Sequence, residues 1–359
     1  MDQFRAKRWM AIINYRNIKY IKMKKILALL AISLCLFSCE NDEWDFPDFD
    51  YSTVYFSYQR PVRTLVMGED IFDNTLDNEH KIKIYATWGG GYSNNNNVLV
   101  DFIVDESLCD DLYYLDNEEK VLVMPSNYYS LASNQMVIPK GSVSGGVEVI
   151  LEDAFFNDDL ALKRNYVIPL LMTNVTNADS ILVGKKAVLM PNPNVATDWE
   201  IAPKNYTLYA VKYINTWGGH YLRRGEDIIS ESGTTETKIR HQQYVESDEV
   251  VKLNTQSLTK TEFPLTLLDD NGANVEVSLI LEFNDEGNCT ITTDSSSITA
   301  TGVGTFVKKG EKNSWGNKDR DALYLDYSVD LGTRQYTTKD TLVARDRGVG
   351  METFNVIVK

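Results

Sequence analysis

The sequence predicts an all-β protein of two bodies in series, an antiparallel β-sandwich followed by a closed antiparallel β-barrel. Three observations carry this. Short runs rich in β-branched and aromatic residues alternate apolar with polar in the strand period of two, and turn residues punctuate them. A non-periodic break is visible at the proline-rich stretch Met190–Pro203. The second half has longer strands joined by hairpins, and a meander of that kind hides its edges by closing on itself.

The amino terminus comes first in the argument because it is not part of the fold. Met23-Lys24-Lys25 precedes a 12-residue apolar run, Ile26–Phe37, with the form of an export signal. A helix that crosses a bilayer needs about 20 residues, so the run is too short to be an anchor. Leu36-Phe37-Ser38-Cys39 resembles a bacterial lipobox, in which the cysteine sulfur receives a diacylglycerol and the chain is cut before it. Cys39 is then the lipidated first residue; the alternative is an ordinary signal peptide cut nearby. Residues 1–22 read as an upstream extension, so 1–38 is excluded from the fold. The acidic run Glu40-Asn41-Asp42-Glu43 begins a tether over 39–50 and resembles the surface-export signal of Bacteroidetes lipoproteins; a solvated tether facing the periplasm is the alternative.

Eight Lys/Arg and one Asp leave with residues 1–38, so 28 basic side chains remain against 50 acidic, a net charge of −22. Phosphate binding needs clustered Lys/Arg, which disfavours nucleic acid and anionic polymers and leaves neutral ligands as the better fit. Of the four cysteines, Cys109 and Cys289 lie 180 residues apart and read as buried small hydrophobes rather than a disulfide framework.

The sandwich is expected over 51–190. Its strands are Thr53–Phe56, Lys81–Tyr85, Val98–Val104, Gly146–Leu151 and Tyr166–Leu171, with a short helical piece around Asp158–Arg164. The linker is placed at 191–204 and the barrel over 205–359. In the barrel, Leu265–Leu268 and Val275–Phe283 flank Asp269-Asp270-Asn271-Gly272, where Asn-Gly predicts a primed turn. Further strands are expected at Val303–Lys308, Ala322–Val329, Gln335–Val343 and Thr353–Val358; a second sandwich is the alternative to the barrel.

Catalytic patterns are few. Asp45-Phe46-Pro47-Asp48-Phe49-Asp50-Tyr51-Ser52 approaches the D-x-x-D-x-D-x-E pattern of chitinase-like glycosidases, but Ser52 stands where the acid is required and no βα repeat surrounds it. His80, His220 and His241 have no metal-ligand spacing, and a hairpin turn explains Asp269–Asn274 more simply than calcium does. No nucleophile elbow or phosphate loop occurs. The expectation is a non-enzyme without cofactor or metal.

Aromatic supply stands out instead. Trp88, Trp217 and Trp315 each lie beside glycine, and Thr87-Trp88-Gly89-Gly90-Gly91-Tyr92 has a near twin in Thr216-Trp217-Gly218-Gly219-His220-Tyr221. Sugar rings stack their C–H faces on aromatic planes while amides and charges reach the hydroxyls. The loop Trp315, Asn317, Lys318 and Asp319 fits that chemistry best, against a Trp folded back as a barrel lid. Trp88, Tyr92, Trp217 and His220 complete the candidate ligand-binding set. Trp88 also reads as packing on a strand end, and resemblance to a lipocalin-like barrel implies that Trp217 closes one end of the barrel beneath a stacked arginine, Arg345 or Arg347.

Residues 51–185, through Tyr58-Gln59-Arg60-Pro61-Val62-Arg63-Thr64-Leu65 and Ile138-Pro139-Lys140-Gly141, resemble the Ig-like N-terminal domain of Bacteroidetes surface lipoproteins. Residues 205–359, through Trp217–Gly225 and Arg345-Asp346-Arg347-Gly348, resemble the lipocalin-like domain that follows it. The resemblance implies an Ig-like sandwich, a lipocalin-like barrel and an outer-membrane lipoprotein facing the cell exterior. It implies an accessory of a polysaccharide-utilisation system of the starch-utilisation type, holding an oligosaccharide or polysaccharide near an outer-membrane transporter. The alternative function is a structural or adhesive module that binds protein partners.

Overall fold

A computed structural model describes Phe49 and residues 51–359. Cys39, the signal, most of the acidic tether and most of the chitinase-like pattern lie outside the described residues. Among the described residues strands dominate, as the alternation predicts, and the helical elements are single turns. The expected helical piece is a 3-10 turn, Asp159–Leu162, whose Leu160 amide donates to the Asp158 carboxylate.

The sandwich is one continuous path of strands folded into two layers. Thr53–Tyr55, Lys81–Gly89 and Ser144–Leu151 form one side; Val98–Val104, Tyr166–Thr176, Tyr206–Ile214 and Pro61–Val66 form the other, with Gln135–Ile138 between them. Both sides contribute to one core, which holds Val54, Ile84 and Val149 with Leu65, Ile168 and Tyr213. The layers join through a single pair, Val137↔Gly146. A Cβ on the adjacent Gly145 would lie 2.0 Å from the Val137 carbonyl, so only glycine permits this crossing.

Eight strands close the barrel: Gly219–Glu231, Glu249–Thr255, Lys260–Leu268, Asn274–Phe283, Asn288–Thr292, Thr299–Ser314, Lys318–Asp330 and Arg334–Asp346. The first and last pair from His220↔Asp346 to Glu231↔Arg334, so the sheet has no open end there. An eight-stranded barrel is just wide enough for side chains to fill. Phe263, Leu279, Leu281, Leu323, Leu325 and Leu342 do so, and the interior is a packed core. Cys109 and Cys289 are free and buried, one in each body.

Three local expectations are corrected. The Asp269–Gly272 turn is not primed, because only Gly272 has a positive φ, 77°. Asp269 holds the turn by accepting from the amides of Asn271 (2.9 Å) and Ala273 (2.8 Å). The strand Tyr206–Ile214, expected in the barrel, pairs with Tyr166–Thr176 and Pro61–Val66 of the sandwich. The final segment also returns to the sandwich, where Glu352–Thr353 pairs with Pro61–Val62 and Val356–Val358 with Leu112–Tyr114. Alternation identified these strands, but their partners are set by long-range contacts that no local pattern encodes. The chain therefore crosses between the bodies twice, at Asn215–Gly218 and at Arg347–Met351, rather than at 191–204.

Burial predicts an alkaline transition. It pushes the Tyr213 hydroxyl up to about 12 and raises those of Tyr114, Tyr221 and Tyr327 further. A raised folded-state pKa means that above pH ~10 the unfolded chain releases protons that the folded chain keeps, so stability is lost as pH rises. Each such group adds a slope of about 1.4 kcal/mol per pH unit. In an alkaline titration, absorbance of these buried tyrosinates is expected to rise together with the loss of strand circular dichroism. Their ionisation near pH 10 in an intact fold would contradict this.

Candidate functional site

The first crossing is the TWGGHY motif itself. Asn215 ends the sandwich strand and is fully buried. Its amide donates to the carbonyls of Ser257 and Lys260, both at 2.8 Å, and its oxygen accepts from the amides of Gly218 (2.8 Å) and Trp217 (3.2 Å). Trp217 is 9% exposed and stacks on Phe283 with centroids 3.9 Å apart and planes 7° from parallel. Gly219, at φ 148°, touches the second crossing, where a Cβ would lie 2.7 Å from the Asp346 carbonyl.

The arginine expected over Trp217 does something else. Arg347 donates to the carbonyls of Gly218 (2.9 Å), Asn215 and Met67 (3.1 Å), and so fastens both crossings to the sandwich. Phe283 already takes a face of the indole. For a largely buried guanidinium, carbonyls that would otherwise lack partners are the stronger attraction.

Beside this double crossing lies a cleft of about 270 Å³. Glu69, Asp70 and Ile71 form the sandwich wall; His220 and Asp346 form the floor, and Lys308, Asp319, Asp321 and Arg345 line the barrel wall. His220 Nδ1 meets Asp346 Oδ1 at 2.7 Å, and Lys308 donates to Glu69 at 2.6 Å across the two bodies. Ile71 is 86% exposed and gives the cleft an apolar edge. The Lys308 bond holds the Glu69 carboxyl below its ordinary range, and the Asn313 amide with Lys312 does the same for Asp319.

The predicted residues divide. His220 and Asp319 line the cleft. Trp315 backs it without lining it: its indole N–H donates to the Ala344 carbonyl at 3.0 Å, and Arg320, a cleft residue, stacks on the ring 3.3 Å from its centroid. The loop folds back because Gly316 and Asn317 both take positive φ, 69° and 56°, in the hairpin that pairs Ser314 with Lys318. Asn317 and Lys318 are exposed at its tip. Trp217 belongs to the barrel core, and Trp88, 8% exposed and paired with Val54, to the sandwich core, so neither offers a face to a ligand. Tyr92 is exposed on the loop after Trp88, at the other copy of the motif.

Sequence reasoning missed Glu69, Asp70 and Ile71. Ile71-Phe72 between Asp70 and Asp73 was the available signal, two large apolar residues outside any alternating run. A wider hollow of about 1050 Å³ also touches Gly219 and Arg347, and on its walls Lys212 and Lys260 are already paired to Glu352 and Glu282. The smaller cleft sets charged groups from both bodies beside the exposed Ile71.

These features define a protein class: a sandwich and a filled barrel locked together by a double crossing, with a small polar cleft at the lock. The chain belongs to the family of a Bacteroides ovatus protein of unknown function whose crystal structure is 51% identical, covering 87% of this chain and 100% of that one with a TM-score of 0.82. Residues 216–348 match a domain of unknown function, DUF5627, and residues 49–179 match a family model described as an N-terminal domain. The first match begins within the first crossing and ends at the second. Two other structures are an auxiliary nutrient binding protein from Bacteroides thetaiotaomicron (14% identity, 79% and 90% covered, TM-score 0.35) and a Bacteroides ovatus protein to which carbohydrate binding has been ascribed (12%, 84% and 97%, TM-score 0.27). No curated protein matches the chain.

Proposed function

We propose that the protein is a cell-surface, lipid-anchored glycan-binding accessory that holds an oligosaccharide at the cleft without cleaving it. The observation that carries this reading is the convergence of Asp70, Asp321, Arg345 and the His220–Asp346 pair around one apolar edge, Ile71. Sugar hydroxyls both donate and accept, and this set supplies both kinds of partner. Ligand pockets span roughly 300–1,000 Å³, so a cleft of about 270 Å³ suits the end of a chain, one or two rings.

Glu69, held low by Lys308, and Asp319, held low by the Asn313 amide and Lys312, stand as carboxylate acceptors for sugar hydroxyls. The outer-membrane location, the anchor at Cys39 and work beside a transporter complete the proposal and rest on the lipobox and acidic tether.

Calorimetry against a panel of neutral plant and host glycans tests it. At least one glycan is expected to bind, and His220→Ala is expected to weaken it roughly 10- to 150-fold, the worth of a charged hydrogen bond at about 1.5–3 kcal/mol. No binding across the panel, or an unchanged affinity in the variant, would refute the cleft.

A second reading has its own observation. Leu189 and Met190 are 96% and 91% exposed, and with Val183 and Ile201 they form an apolar strap on the sandwich. That surface favours contact with a protein partner. Pull-down with Leu189→Ser and Met190→Ser variants separates the two roles.

A further inference from the structure

The barrel carries a second feature, three residues along the strand Gly219–Glu231 from His220 of the cleft. That strand changes neighbours midway: Gly219–Arg223 pairs with Glu249–Leu253, and Gly225–Glu231 with Thr234–Arg240. The two neighbours diverge at Arg224 and leave a notch of about 300 Å³, lined by Arg223, Arg240, His241, Gln242, Asp248 and Glu249.

Buried charge forms its floor. Asp340, with no exposed side-chain surface, accepts from Arg223 Nε (2.9 Å), Arg240 Nη2 (2.6 Å) and the Tyr327 hydroxyl (2.8 Å). Asp227 accepts from Arg240 Nε (2.7 Å) and Nη2 (2.8 Å). Each guanidinium then has one nitrogen over. Arg240 Nη1 is buried with no hydrogen-bond partner. Arg223 Nη1 has only the Glu249 carboxylate at 3.5 Å, on a side chain 58% exposed. Ordinary charge-assisted bonds of this kind measure about 2.7–2.9 Å, so Glu249 holds the position loosely. Asp227 and Asp340 balance the two arginines, and Asp248 balances Arg224 at 2.6 Å. The charge that can be exchanged without disturbing the fold is therefore Glu249's.

We infer that the notch is a second binding site, for the carboxylate of a single hexuronic acid residue, which displaces Glu249 from Arg223 Nη1. His241 and Gln242 stand at the rim for the ring hydroxyls. A lone acidic sugar is compatible with the negative surface that excludes polyanions, because exposed charges beyond about 8–10 Å are screened while the floor guanidiniums are in contact. The site is independent of the cleft at His220.

Titration calorimetry with galacturonic acid, galactose and acetate on the full chain tests this. Galacturonate is expected to bind, with galactose and acetate weaker by tenfold or more. Glu249→Ala, a surface change, is expected to tighten galacturonate roughly three- to tenfold by removing the resident carboxylate, whereas His220→Ala leaves it unchanged. Arg223→Gln is expected to abolish binding; if that variant does not fold, Glu249→Ala alone decides. The inference is overturned if galacturonate does not bind, if galactose or acetate binds as tightly, if Glu249→Ala brings no gain, or if His220→Ala removes binding. The last result would move the ligand to the cleft.

Discussion

Asp340→Ala is expected to lower the unfolding free energy by about 3–5 kcal/mol, because it leaves buried guanidinium charge uncompensated. Asp340 is the shared acceptor of Arg223, Arg240 and Tyr327, and its side chain has no exposed surface. The carboxylate beside it shows how tightly the network is drawn. Burial raises the Asp227 carboxyl, yet the hydrogen bonds and charge of Arg240, the Thr338 hydroxyl and the Arg223 charge together outweigh burial and hold it below its ordinary range. Its contribution is accordingly present at neutral pH and lost as pH falls through that lowered value. Urea denaturation checks the Asp340 prediction. Pairing Asp340→Leu with Arg223→Met, which replaces charge by apolar bulk, is expected to recover part of the loss. A single variant as stable as the parent would show that the network is dispensable.

Asn215→Ala is the second large effect, expected at about 2–4 kcal/mol from buried amide and carbonyl groups left without this partner. Asn215 fixes the turn that seats Trp217 on Phe283 and presents His220 to the cleft. Loss of stability is therefore expected together with loss of glycan affinity. Calorimetric melting and glycan titration on the same sample measure both. Lost stability with full affinity would mean that the turn does not position the site.

The strands were legible because burial on one face forces period two, as Lys81–Gly89 and Asn274–Phe283 show. Partnership was not. Tyr206–Ile214 is buried on both faces, a pattern that fits either body, and only its pairing with Pro61–Val66 assigns it to the sandwich. The same limit shaped the site. A tryptophan beside glycine reads alike whether it meets a ligand or a phenylalanine 66 residues later, as Trp217 meets Phe283. His220 and Asp319 were legible through their motifs, whereas Glu69, Asp70 and Ile71 reach the cleft only because the chain crosses twice between the bodies.

Both crossings meet at Arg347, and the central claim is that the cleft beside them is where glycan is held. A crystal structure of the protein with the tightest glycan from the panel tests it most directly. The account predicts sugar density between Ile71, His220 and Asp321, within hydrogen-bond distance of Arg345 or Asp346. Density elsewhere with this cleft empty would contradict it.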